Sequence, residues 1–161
     1  MIQPKDLVFC YRSGADAMAR LAGDVADADF AAQPIESINH PAWLFQHVGI
    51  YHGVIVALLK QEDFPNPWAE PCGKDHPPVG DRSAYPAKDA ILATHAASVD
   101  AAAEAMLAAP ADVWSQPFEH ATWGKQFESV GAAVVYLATT HLATHLGQLS
   151  GWRRAMNLPR V

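Results

Sequence analysis

The chain has 161 residues, half of them apolar and only 17% charged, with a formal net charge of −6. That length suits one domain with a hydrophobic core of its own, and the composition excludes a disordered chain. The acidic balance and the scattered Lys and Arg, with Arg153–Arg154 the one tight pair, exclude a general nucleic-acid role, which needs clustered cations.

Cys10 and Cys72 stand far apart and form no CxxC, so no disulfide framework is expected and a reducing, cytoplasmic setting fits. The N-terminus lacks a basic segment followed by a long apolar stretch, and no uninterrupted apolar run reaches about 18–20 residues. Neither a leader nor a membrane span is expected.

Four long segments carry helical spacing. The first runs from about Lys5 to Val25, with Pro4 suited to a first turn and Leu7, Cys10/Tyr11, Gly14, Met18 and Leu21 on one stripe. The second runs from about Pro41 to Gln61, entered at Asn39 or His40. One stripe holds Trp43, His47, Ile50/Tyr51, Val54 and Leu58; another holds Phe45, Val48, His52, Ile55 and Leu59. A helix apolar on two sides is either deeply buried or shared with a partner subunit, and this one suggests a homodimer. A Pro-rich connection, Glu62 to Tyr85, follows; long loops in small domains are often functional. The third helix spans roughly Pro86 to Ala109, with Leu92, His95, Val99, Ala102 and Met106 on its stripe. After a second connection, from Pro110 to about Gln126, the fourth helix continues to about Met156. Its stripe reads Phe127, Val130, Val134, Leu137, His141, His145, Gln148 and Trp152. No strand alternation, internal repeat or second domain appears, so residues 1–161 read as one all-α, four-helix bundle with long crossover connections.

Eight histidines punctuate this pattern. His141 and His145 are four apart on one helix, which brings their Cβ atoms to about 5–6 Å and lets both imidazoles reach one metal ion. Both lie on the core stripe, where a polar group without a partner costs roughly 1–3 kcal/mol. His47 lies on the core stripe of the second helix near its start, so its depth matches theirs only if helices two and four run antiparallel. The bland alternative for each histidine is a hydrogen-bonded core residue. His95 is read as a pocket-lining or hydrogen-bonded core residue, His40 as a helix-entry residue, and His52, His76 and His120 as surface, loop or interface residues. The residue after His141 is Leu142, so the general-base Glu of HExxH proteases is missing. Three protein ligands leave a coordination position open, which marks a catalytic rather than a structural metal site.

The stretches NHPAWLFQHVGIYHGVIVALL (Asn39 to Leu59) and THLATHLGQLSGWRRAMNLPRV (Thr140 to Val161) resemble the second-helix and C-terminal motifs of the DinB-like superfamily, the metal-binding bundles related to the YfiT-type proteins. The two stretches cover about a quarter of the chain. The resemblance implies an up-down-down-up bundle, often a homodimer. It implies a divalent metal, nickel or zinc, on His47, His141 and His145. It further implies a metal-dependent enzyme in which a low-molecular-weight thiol or a water attacks a small electrophile, as in the thiol S-transferases of the family, or a hydrolase. The family name implies no DNA binding. His52 has no counterpart in the family's motif.

Other residues complete the reading. Gln148 is a candidate hydrogen-bond partner of a ligand histidine or a cap on a polar pocket, and Tyr51 a candidate pocket donor. Gly147 is read as a site of close helix approach, Cys10 as a small buried hydrophobe, and Cys72 as a loop residue without chemistry. Arg153 and Arg154 complement the helix dipole or hold an anionic cofactor. Trp43, Trp114, Trp123 and Trp152 are read as core or pocket wall. Three functions stay open at this level: a metal-dependent enzyme, a non-catalytic metal-binding stress-response bundle, and a metal-free bundle with a polar histidine patch.

Overall fold

Helix α1 (Pro4–Gly23) begins where Pro4 takes the first turn and the Asp6 carboxylate accepts the Gln3 backbone N–H at 2.8 Å. It buries Leu7, Val8, Tyr11, Ala15, Met18 and Ala22. The computed structural model describes residues 3–121, 123–124 and 126–161. Thr122 and Lys125, in the second connection, lie outside the described residues. Helix α2 (Pro41–Lys60) is capped by His40, whose Nδ1 accepts the Trp43 N–H at 3.3 Å, and ends where Gln61 turns left-handed at φ 59°. Helix α3 (Lys88–Ala108) starts two residues later than the periodicity suggested, because Ala87 still has extended backbone. A short helix, α4 (Ala111–Trp114), follows.

The last long helix has three parts: α5 (Val130–Tyr136), a wider π-helical turn (Leu137–His141) and α6 (Leu142–Ala155). Its start falls later than expected. Ser129 is the cap, its hydroxyl accepting the Ala132 N–H at 3.1 Å, and Phe127 lies before it. Phe127 still packs on the core, edge-on to Phe118 at 5.4 Å. Among the described residues there is no strand, only isolated bridges between Pro117 and Ser129 and between His120 and Gly124.

Contacts give the running directions. Gly14 lies against Leu142, and Leu21 and Asp24 meet Arg153, so α1 and α6 run parallel. Phe45 meets His95 and His52 meets Ser98, so α2 and α3 also run parallel. Asn39 meets Gln148 while Tyr51 meets His141, so α2 and α6 run antiparallel, as the depth of the three histidines requires. At Gly14 a Cβ would stand 3.1 Å from a Leu142 side-chain carbon, so glycine sets the spacing of α1 and α6.

The two apolar stripes of α2 are both covered within the chain, by α3 on one side and the last helix on the other. The pattern that suggested a shared interface is therefore explained by burial. By length and composition alone α2 could cross a membrane, yet 67% of its most apolar 18-residue window is buried inside the bundle.

Four local expectations are corrected. Cys10 is exposed, because Tyr11 takes the buried place on that stripe. His52 is buried, since the second stripe of α2 faces α3. Gly147 is exposed, and a Cβ there would meet nothing within 4 Å, so it permits no close approach. Arg153 is buried and ion-paired with Asp24, with further bonds to the Leu21 and Pro159 carbonyls, which occupies its guanidinium structurally.

Candidate metal centre

His47 sits in the second turn of α2, facing the last helix. His141 closes the π-helical turn, and His145 lies one turn further on. Antiparallel packing puts all three at one depth. One ring nitrogen from each lies within 4.8 Å of those of the other two, and His141 Nε2 is 3.1 Å from His145 Nε2. Two nitrogens bound to one ion at about 2.0–2.1 Å in tetrahedral geometry stand about 3.4 Å apart, so small adjustments suffice.

Two of the three rings have their tautomers fixed. His47 Nδ1 donates to the Cys72 carbonyl at 2.7 Å, because a carbonyl only accepts. His145 Nδ1 donates to Gln148 Oε1 at 2.8 Å, and the same oxygen accepts from Asn39 Nδ2 at 3.0 Å. Each Nε2 is thereby left with a lone pair, and second hydrogen bonds of this kind orient metal-binding histidines. Trp43 stacks on His47 at 4.4 Å and 14°, holding its plane, while Tyr51 lies 4.2 Å from His141.

Burial keeps these rings neutral. It pushes His47 down to about 4, reinforced by His145 and opposed by the Cys72 carbonyl. His141 is lowered strongly, first by burial and then by its neighbours His145, His47 and His52. His145 is also lowered by burial, against the Gln148 bond. Three neutral imidazoles with converging nitrogens fit a divalent transition-metal ion.

A cavity of about 200 Å³ opens beside His141, walled by Tyr51, Trp123, Phe127 and Tyr136. A larger cleft of about 700 Å³ lies between the end of α2 and residues 116–121, but none of the three histidines lines it. Position rather than size selects the smaller cavity.

The remaining histidines stand apart from the triad. His95 and His52 form a second buried pair, 5.3 Å apart, between α2 and α3. His52 Nδ1 lies 2.9 Å from Ser98 Oγ, whose hydroxyl donates to the His95 carbonyl. His52 Nε2 and the Tyr11 hydroxyl are buried without a hydrogen-bond partner among the described residues, and the buried His95 ring nitrogens make no well-formed bond there, only a weak approach to the Ala15 carbonyl. His40 caps α2, and its Nε2 lies 3.0 Å from the Val79 carbonyl. His76 is exposed, and its carbonyl accepts the Trp43 indole N–H at 2.7 Å. His120 stacks on Phe64 at 4.6 Å, lining the larger cleft.

Sequence reasoning missed the Cys72 carbonyl and the Asn39 amide. The first is backbone in an irregular loop, which leaves no side-chain signal. The second was legible only as a helix-entry residue.

An all-α bundle that gathers three buried, neutral imidazoles beside a small aromatic cavity is a bundle able to hold a divalent ion on histidine. A family model describing the DinB superfamily matches residues 11–149, a span that contains His47, His141 and His145. The chain belongs to that superfamily. No curated protein and no solved structure matches it.

Proposed function

We propose that this protein binds a divalent metal ion, nickel or zinc, through His47, His141 and His145. We propose further that it is an enzyme in which a low-molecular-weight thiol or a water attacks a small electrophile held in the adjoining cavity. The observation that carries this reading is the convergence of three neutral imidazoles, one nitrogen from each within 4.8 Å of the others, with His141 lining that cavity. An ion on three imidazoles keeps an open position and lowers the pKa of a thiol or water bound there. The Cys72 carbonyl and Gln148 hold His47 and His145 in the tautomers that present Nε2. Burial, with Tyr136 and Asp75 nearby, pushes Tyr51 up to about 12, so its hydroxyl keeps its proton and serves as a donor to substrate rather than as a base. A second copy of the chain, implied by the family resemblance, belongs to this proposal as a partner, and a monomeric mass in solution would remove it.

Elemental analysis of tag-free protein tests the metal. Wild type should carry about one equivalent and His141→Ala next to none. Equal, negligible metal in both would sink the reading. A panel of thiols against small electrophiles then tests the chemistry. Metal retained without metal-dependent turnover would assign a non-catalytic, metal-binding bundle instead.

A further inference from the structure

The cavity beside His141 contains a charge that the triad does not use. Lys74, from the Pro-rich connection, lines it, and its Nζ stands 4.2 Å above the centre of the Trp68 ring. A cation over an indole face is held in place by the ring's quadrupole, yet its N–H donors gain no acceptor there. Among the described residues Lys74 makes no hydrogen bond or ion pair, and no acidic side chain lines the cavity. In a chain of net charge −6, an ammonium at a cavity wall with no ion-pair partner is a local exception to a field that repels anions, although the Asp75 carboxylate is near enough to act on Tyr51 of the same wall.

The rest of the wall is flat and apolar. Tyr51 and Trp123 lie nearly parallel, 6.0 Å apart at 14°, and Phe127 meets Tyr136 at 5.2 Å. About 200 Å³ is below the roughly 300 Å³ at which pockets for drug-sized ligands begin, so the space suits a single ring or a short conjugated chain. Aromatic walls bind a planar body by stacking and edge contacts, and an ammonium binds a carboxylate by a charge-assisted hydrogen bond.

We infer that the cavity takes a small planar carboxylate, its flat body against the aromatic walls and its anionic end on Lys74. This takes from the proposed function only the position of the cavity next to His141. Lys74 and His141 line the same cavity, so a molecule held on Lys74 shares that space with His141.

Benzoate, its neutral analogue benzamide and its cationic analogue benzylamine are the probes, titrated against tryptophan fluorescence in metal-free and metal-loaded protein. Metal content is measured separately, so loss of the metal reading does not decide this one. Benzoate should bind about fivefold more tightly than benzamide in both forms, with benzylamine weakest. Lys74→Met should erase that preference while leaving benzamide unchanged, and Lys74→Arg should keep it. The inference is overturned if neither benzoate nor benzamide binds, or if Lys74→Met keeps the preference. A benzoate preference seen only in metal-loaded protein overturns it too, since the carboxylate would then be going to the ion.

Discussion

Gln148 shows how much a single exposed side chain can control. Its Oε1 takes hydrogen bonds from both His145 and Asn39, tying α6 to the entry of α2 and fixing one imidazole tautomer. Gln148→Leu should leave the thermal midpoint nearly unchanged, because the residue is exposed, but weaken metal affinity by about 10–100-fold. Competition against a chelating dye measures this, and an unchanged affinity would refute the orienting role. Tyr11 presents the opposite case. Its hydroxyl is fully buried without a partner among the described residues, and burial pushes its pKa well up. Tyr11→Phe removes a desolvated group that makes no bond, so the midpoint should stay constant or rise. A fall of several degrees would reveal an ordered water on that hydroxyl.

Among the elements, the Pro-rich connection is held to α2 by side chains of the helix. His40, Trp43 and His47 engage the carbonyls of Val79, His76 and Cys72 in turn. The segment is shaped for this: Cys72 has φ 65°, and a Cβ on Gly73 would come within 2.4 Å of the Pro67 carbonyl oxygen and 2.5 Å of that of Trp68. Gly73→Ala must therefore displace the loop, at a cost of about 1–3 kcal/mol, and take the Cys72 carbonyl away from His47. Metal affinity should fall by about tenfold and residues 62–85 should become sensitive to protease; native affinity with a protected loop would contradict the coupling. The clamp was not legible in the sequence, because its acceptors are backbone carbonyls. The helices that carry the site were legible, since Pro4 and Pro41 open them and the 3.6-residue stripes run through His47, His141 and His145. The π-helical turn ending at His141 was not, as the i,i+4 spacing that paired His141 with His145 lies just beyond it. His52 was misjudged for a related reason: a two-sided stripe gives no hint of which neighbour covers its second face until α3 is in place.

At the scale of the whole molecule, the buried histidines make the fold sensitive to acid. Burial pushes His52 down to about 3, with His95 adding to the effect, and lowers His95 to about 4 against the opposing Ala15 carbonyl and Asp16. The ordinary histidine value is 6.5, so between roughly pH 6.5 and 4 the unfolded chain holds protons that the native chain refuses. Stability contributed by these two residues is complete above 6.5 and drains away as the pH falls through that window, by about 1.4 kcal/mol per pH unit for each histidine. Asp24 and Asp27, held below the usual carboxylate range chiefly by hydrogen bonds from Arg153 and Arg82, lose their contribution only under more acidic conditions, near and below 3.8. The two effects are therefore separable by pH. Urea unfolding of the metal-free protein at pH 7.5, 6 and 5 should show a steep decline. His95→Leu, which retains a buried apolar side chain beside Phe45, should make that decline shallower by about one proton's worth. Equal slopes for the two proteins would mean that His95 takes up its proton in the native state, as it would if water reached the ring between α2 and α3. A decline matching the lost proton would show that the bundle keeps that ring dry and neutral, the same condition that leaves His47, His141 and His145 with lone pairs to offer an ion.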